Sequence, residues 1–420
     1  LFQVFLIREF EQALLKLFAD GCIHGPVHTA IGQEACAAGT TAALQPDDKV
    51  GGSHRSHHIY LSKIIGHYMP EGLLDFNQLP QVIFDEIASL MGEVMGLANG
   101  CCSGRGGSMH LFNAKIGMIG SNAIVAGGVP AAVGAAFADK FQDRDDVTVC
   151  FVGDGAVNQG AFHEALNLAG LWKLPFICFI ENNHYAVATS VADSTATEDL
   201  VVKAAAYGIK GIRVDGMDPV AVQQAMTQAV ERGRNGQGAT LIEAKCYRFP
   251  HHAGPTKGSA FGYRDEDEEQ HWKNRDPFYC FPEKLIELNY LTQSETKQLH
   301  ELAKMAVEKA IDTCTTRTDN KYFRREALWP KLETIHVGSR SDGSEFSGIQ
   351  YHKLSEFSQQ ENITYVGAIA AVTQRHLEID SRVVVMGEEV ASFGGGAYQA
   401  TKGLPVKYPK RIFNTPISEA

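Results

Sequence analysis

The residue types and spacing best suited to chemistry are Gly153-Asp154-Gly155 and Asn182-Asn183. Each group follows an apolar run rich in β-branched and aromatic side chains, Val147 to Val152 and Phe176 to Glu181, which the pattern predicts as strands. The segment between them, Ala161 to Trp172, reads as a crossover helix. Strands joined in this way run parallel, so their carboxyl ends open at one sheet edge, and Asp154 and Asn183 face one pocket. A carboxylate and an amide oxygen are hard ligands suited to Mg²⁺, whose other positions go to phosphate oxygens and water. Gly153 and Gly155 let the backbone approach a phosphate closely. The triplet alone would make an ordinary strand-to-helix turn. The asparagine pair at the end of the next strand turns the reading toward a site.

The elements that must position these residues follow from periodicity. From about residue 90 to 250, strands and helices alternate as in a parallel sheet flanked by helices, an α/β core, with further strands at Gly211 to Val214 and Thr240 to Tyr247. Asp218-Pro219 supplies an N-cap and first-turn proline for one helix, and Thr292 with Glu295 a capping box for another. In the latter, Leu299, Leu302, Ala303, Ala306 and Ala310 share a face. From 315 to 362 the chain turns polar, with Gly338-Ser339-Arg340-Ser341-Asp342-Gly343-Ser344 inside it, the composition of a linker. The expected organisation is therefore a domain at 1–314, a linker at 315–362, and the start of a second, similar α/β unit at 363–420. That unit holds a helix containing Gly367 to Leu377 and a buried-strand run from Val383 to Met386, and it stops before it could form a core.

Composition bounds the function. A chain of 420 residues with 44% hydrophobic content is long enough for two or three domains. A net charge of -11 disfavours nonspecific nucleic-acid binding, so an anionic ligand needs a local basic or helix-terminal pocket. The nine cysteines include no C-x-x-C pair, which suggests neither a disulfide framework nor a zinc site and makes a reducing compartment the expectation. Leu1 opens an apolar stretch interrupted by Arg8, Glu9 and Glu11, which suits an amphipathic helix better than a signal peptide, and the start looks trimmed. Ile116 to Ala138 is uncharged over a bilayer-spanning length apart from Lys115 beside it, but its glycines and Pro130 make it a buried loop and helix; no membrane association is expected.

Gly-Asp-Gly followed by Asn-Asn at this separation resembles the thiamine-diphosphate motif. The run Gly153-Asp-Gly-Ala-Val-Asn-Gln-Gly-Ala-Phe-His-Glu-Ala, Leu171-Trp-Lys-Leu-Pro and Glu181-Asn-Asn resembles the α subunit of the decarboxylating component of pyruvate, acetoin and branched-chain 2-oxoacid dehydrogenase complexes, over most of residues 5 to 265. The resemblance implies the thiamine-diphosphate-binding fold. It also implies that Asp154, the Asn183 side chain and the Tyr185 carbonyl hold Mg²⁺, and that Gly155 and Ala156 meet the diphosphate. In Ser53-His54-Arg55-Ser56-His57, His54 and Arg55 fall at the cofactor, with forked guanidinium bonds to diphosphate oxygens, and His57 falls among proton-handling groups. A surface histidine cluster is the plainer reading of that segment by itself. Ala123-Ile124-Val125 resembles the stretch whose backbone holds the aminopyrimidine, and Gly104-Arg-Gly-Gly-Ser-Met-His110 the family's glycine-rich stretch. His28, ahead of Gly32-Gln33-Glu34-Ala35, matches a substrate-side histidine, though a core or capping role suits it nearly as well.

Tyr247-Arg248-Phe249-Pro250-His251-His252, with Tyr263-Arg264, resembles the active-site loop, where His252 would contact the diphosphate and the reacting acyl group. Two departures stand out: His251 replaces a usual glycine in a slightly longer loop, and Met69 to Ile83 is an insertion expected to alter access to the site. Gly387-Glu388-Glu389-Val390, Gly394-Gly395, Ala400-Thr401-Lys402-Gly403-Leu404 and Phe413 to Glu419 resemble the opening of the β subunit, fused here to the α-like part. There Glu419 would bond the pyrimidine ring nitrogen and activate the cofactor. The implied activity is oxidative decarboxylation of a 2-oxoacid, or cleavage of acetoin, with acyl transfer to the lipoyl group of a partner acyltransferase. A cytoplasmic homo-oligomer is expected, with the mitochondrial matrix left open. His54-Arg55 and Gly25-Pro-Val-His28 lean toward pyruvate and acetoin. The competing readings are a catalytically silent assembly subunit that keeps the fold, and a nicotinamide-dependent dehydrogenase. The latter is weakened by the lack of a G-x-G-x-x-G after a strand.

Overall fold

The computed structural model describes residues 1–73, 75–335, 347–350, 352–358, 362–392, 394–396 and 398–418. The chain divides into two compact units, Leu1–Ile335 and His336–Ala420.

The first unit is built on a six-stranded parallel sheet. In chain order its strands are Lys49–Ser53 (β1), Met118–Asn122 (β2), Thr148–Gly153 (β3), Phe176–Asn182 (β4), Lys210–Asp215 (β5) and Thr240–Lys245 (β6). They lie in the order β2-β1-β3-β4-β6-β5. Strand β4 is central and buried at every position, which its apolar run Phe-Ile-Cys-Phe-Ile requires. It pairs in register with β3, Gly153 opposite Glu181, and with β6, Asn182 opposite Lys245. The four strands expected from periodicity are present. Strands β1 and β2, Lys-Val-Gly-Gly-Ser and Met-Ile-Gly-Ser-Asn, are additional to those expected: their glycines and lack of alternation hide them. The apolar stretch read as a buried loop and helix thus also contains β2, ahead of the helix Gly128–Phe141.

Helices cover both faces. One core layer joins α1 (Phe2–Ala19), α2 (Glu34–Thr41), α3 (His57–Tyr68), α4 (Gln81–Val94) and the long helix Gln293–Cys314. The other joins the helices Gly128–Phe141 and Gly160–Leu171 to the opposite face of β3 and β4. Helix starts follow their caps. Asp218 accepts from the N–H groups of Val220 and Ala221 ahead of Pro219–Arg234, and Thr292 with Glu295 forms a complete capping box. Helix α1 departs from the simple amphipathic expectation, because two of its charges point inward. Arg8 pairs with Glu34 and, through both terminal nitrogens, with Asp276, while Glu11 accepts from the N–H of Ala30 and faces His57 at 3.0 Å. Residues Thr315–Thr318 and Lys321–Arg324, at the start of the stretch read as a linker, form an antiparallel hairpin. Among the described residues, no helix is long and apolar enough to cross a membrane.

The second unit holds the helix Tyr365–Ile379, N-capped by Thr364, and two parallel strands, Val385–Glu388 and Ile412–Thr415. Its described core is small: Leu377, Leu404 and Ile412, with Val383, Val385 and Tyr408 packed against them.

Candidate active site

The connection from β1 runs outward to β2 while β3 leads the other way to β4, so the order reverses between β1 and β3. Ligands of parallel sheets bind in the crevice outside the carboxyl ends of strands at such a point. A cavity opens there, about 800 Å³ of empty space counted to its open mouth. Its wall takes Ser53, His54 and Arg55 from the end of β1, Asn122, Ile124, Val125 and Ala126 from the end of β2, and Gly153, Asp154, Gly155 and Ala156 from the end of β3. Glu181, Asn183, Tyr185, Ala186 and Val187 come from β4 and the turn beyond it, with Gln33 before α2 and His252 after β6.

Two buried charges in this wall lack a counter-ion among the described residues. The Asp154 carboxylate is 4% exposed and pairs with no cation among the described residues. Burial pushes its pKa up to about 6, against the pull of backbone N–H groups and the more distant Arg248 and Arg55. Arg55 is buried too, and its guanidinium donates only to the carbonyls of Thr29 and His252, the latter at 3.1 Å. Burial, with repulsion from Arg248, lowers its pKa to about 9. A cavity lined by both an unpaired carboxylate and an unpaired guanidinium suits a cation and an anion bound together. Asn183 lines the same space, and among the described residues its side-chain oxygen accepts from the Tyr185 N–H at 3.4 Å.

The glycines divide their work. A Cβ on Gly153 would meet nothing within 4 Å, so its missing side chain leaves open room at the cavity wall. At Gly155 a Cβ would lie 2.5 Å from the Ala186 Cβ, so glycine there is required by the turn after β4 rather than by a ligand alone. Gly104 to His110 is not an open anion cradle. The Glu93 carboxylate of α4 already accepts from the N–H groups of Cys102, Gly104, Gly106 and Gly107.

Three histidines from distant parts of the sequence meet at the cavity's side. The rings of His28, His54 and His252 lie 4.6, 4.8 and 5.2 Å apart by centroid. Burial and the nearby guanidinium of Arg55 lower their pKa values to about 3, 2 and 4, so all three are neutral at pH 7. His28 Nδ1 and His54 Nε2 are buried without a protein partner. His28 packs behind the other two rather than in the wall itself.

The remaining expected positions fall elsewhere. His57 is fully buried, and both ring nitrogens are engaged, Nδ1 with Glu11 and Nε2 with Ser108, so it ties α1 to the glycine-rich stretch and does not reach the cavity. Ala123 lies between wall residues Asn122 and Ile124 without itself forming the wall. Glu419 lies outside the described residues. The insertion at 69–83 lines a separate groove, where Met69, Leu73 and Phe76 meet Phe2 and Leu285, rather than this cavity. His251 keeps a negative φ, and its Nδ1 lies 3.0 Å from the Tyr263 hydroxyl, so the loop accommodates it where a glycine is usual. Among the wall residues to which the sequence reading gave no role, Gln33 and Glu181 bring polar side chains. Both stood inside quoted motifs, but only their packing shows their part: Glu181 bonds His58 at 2.8 Å, and Gln33 bonds Asn183 at 3.3 Å.

Residues 3–321 match the family described as the dehydrogenase E1 component. The chain is 38% identical over 338 residues, 80% of its length and 92% of the relative's, to the alpha subunit of acetoin:2,6-dichlorophenolindophenol oxidoreductase of Bacillus subtilis (strain 168). It is 36% identical over 310 residues, 73% of this chain and 87% of the other, to the pyruvate dehydrogenase E1 component subunit alpha of Rickettsia conorii (strain ATCC VR-613 / Malish 7). The chloroplastic pyruvate dehydrogenase E1 component subunit alpha-3 of Oryza sativa subsp. japonica is also 36% identical, over 316 residues, covering 73% of this chain and 68% of the relative.

Proposed function

Since the chain belongs to the dehydrogenase E1 component family, as a thiamine-diphosphate-dependent 2-oxoacid dehydrogenase component of the α-subunit type, we propose that its cavity takes the diphosphate end of the cofactor together with Mg²⁺. The observation that carries this reading is that one cavity is lined by both the unpaired Asp154 carboxylate and the unpaired Arg55 guanidinium. Asp154, the Asn183 oxygen and the Tyr185 carbonyl would hold the cation, and Arg55 with the backbone at Gly155 and Ala156 would hold the diphosphate. Bound thiamine diphosphate supplies the carbon nucleophile that adds to a 2-oxo group and the ring that takes up electrons as carbon dioxide leaves.

The chain's own side chains bind, orient and exclude water. Val125 and the backbone around Ala123 would support the aminopyrimidine. His54 and His252, held neutral in the cavity wall, would each hydrogen-bond the reacting oxygen through a ring nitrogen, with His28 packed against both and the His252 carbonyl held by Arg55. His57 holds the glycine-rich stretch in place instead. Ile124, Val125 and Val187 stand 71%, 49% and 49% exposed around the site, an apolar rim suited to a covering domain. Glu419, in the stretch that resembles the β subunit's opening, is expected to bond the pyrimidine ring nitrogen of a bound cofactor. The acyl product would pass to the lipoyl group of a partner acyltransferase, and pyruvate and acetoin are the substrates that the relatives' names favour.

The test is calorimetric titration of thiamine diphosphate into the protein with and without Mg²⁺, on wild type and Asp154→Ala. Metal-dependent binding lost in the variant supports the reading. No binding by wild type would overturn it and favour a silent assembly subunit.

A further inference from the structure

Gln33 is fully buried, immediately precedes α2 and borders the cavity. Its Oε1 accepts from Asn183 Nδ2 at 3.3 Å, and its own Nε2, though buried, has no protein acceptor. Either amide could in principle be turned end for end, so the assignment must come from the network around them. The backbone N–H of Tyr185 settles it. It donates to Asn183 Oδ1 at 3.4 Å, which directs the Asn183 nitrogen toward Gln33. Gln33 must answer with its oxygen, because its nitrogen would set donor against donor. Both contacts on the Asn183 amide are long, so neither alone fixes it firmly. Together they leave a free lone pair on Asn183 Oδ1 and a free pair of N–H donors on Gln33.

We propose that Gln33 is a positioning residue of the cation–diphosphate site: its oxygen holds the Asn183 amide with Oδ1 toward the cation, and its Nε2 donates to an anionic oxygen of the cation's phosphate ligand. This rests on the reading of Asp154 and Asn183 as cation ligands. A donor that is buried and unpartnered in the free protein gains its bond on binding, so Gln33 adds to ligand affinity as well as to ligand geometry. Outer partners of this kind typically change metal affinity by about 10–100-fold.

The experiment titrates Mn²⁺, an oxygen-preferring octahedral stand-in for Mg²⁺, into the full chain with thiamine diphosphate present, read by electron paramagnetic resonance of the free ion. Wild type, Asp154→Ala, Gln33→Met and Gln33→Glu are compared, with thermal unfolding as a check on folding. The expected results are tight Mn²⁺ binding by wild type, none by Asp154→Ala, and binding about 10–100-fold weaker by Gln33→Met. Gln33→Glu keeps the acceptor for Asn183 but loses the donor, so it should retain Mn²⁺ while thiamine diphosphate binds at least about tenfold more weakly. Wild-type affinity for Mn²⁺ in Gln33→Met overturns the inference while leaving the site reading intact. Unchanged cofactor affinity in Gln33→Glu also overturns it and applies even if Gln33→Met does not fold. Equal Mn²⁺ binding by Asp154→Ala and wild type, or none by either, overturns the site reading and the inference with it.

Discussion

At the scale of single residues, the cavity keeps groups in protonation states that the fold must maintain at its own expense. Asp154 ionises at about 6 when folded against an ordinary value of 3.8, so above pH 6 the metal-free fold carries the full burden of its buried charge, and the burden fades as pH falls toward 3.8. Asp154→Asn should therefore stabilise the metal-free protein at pH 8 by on the order of 1–3 kcal/mol, and not at pH 4. Urea unfolding in the presence of a chelator checks this; a less stable variant at pH 8 would count against the assignment of Asp154 as an unpaired carboxylate. The histidines run the other way. His28, His54 and His252 stay neutral down to about 3, 2 and 4, while the unfolded chain takes up protons near 6.5. Stability is then complete above pH 6.5 and falls as pH drops below it, the contribution of each histidine to the fall ending only at its folded value, about 4, 3 and 2 for His252, His28 and His54. His54→Gln should flatten that fall by up to about one proton, or 1.4 kcal/mol per pH unit, in unfolding midpoints measured from pH 7.5 to 5. An unchanged slope would show that His54 titrates normally.

At the scale of elements, two local fits determine how the site's loops are held. Glu93 of α4 satisfies four backbone N–H groups of the turn from Cys102 to Gly107, and a Cβ on Gly106 would strike the His110 carbonyl oxygen, so the turn is shaped around this carboxylate. Glu93→Ala strands those donors and should cost about 3–5 kcal/mol, with faster hydrogen exchange confined first to residues 102–107. Uniform exchange across the molecule would place the loss elsewhere. The second fit is between Gly155 and Ala186. Gly155→Ala sets two methyl carbons 2.5 Å apart and should lower the melting temperature, and Ala186→Gly in the same chain should restore most of the loss. Failure of that rescue would mean that the strain at Gly155 has another source.

At the scale of the whole chain, the first unit holds two extensive cores on either side of one sheet, whereas the described part of the second holds three buried apolar side chains. Tyr365, Tyr398, Val406 and Ile417 of the second unit are more than four-fifths exposed. A core that small cannot offset the conformational entropy of its own residues. A fragment comprising residues 336–420 should show no cooperative thermal transition by circular dichroism, while residues 1–335 should unfold in one. A sharp transition in the shorter fragment would show that it folds without further sequence to cover it.

The amino-acid sequence by itself determined the parallel arrangement, because β3, β4 and β6 are continuous apolar runs and the segments between them have helical period. The same patterns put Gly153-Asp154-Gly155 and Asn182-Asn183 at one sheet edge, and the capping residues Asp218 and Thr292 announced their helices, since all of these are local signals. Only the tertiary structure decided the rest. Strands β1 and β2 carry glycines in place of a side-chain pattern and exist through their pairing with β3 and with each other. His28, His54 and His252 become one neutral cluster, and Asp154 and Arg55 an unpaired cation-and-anion site, because burial in a shared cavity removes the water that would otherwise separate and solvate them. His57, beside Arg55 in sequence, is turned away by the helix it begins and spends its ring on Glu11 and Ser108. Neighbours in sequence share a backbone, but only folding assigns them a common environment or denies it.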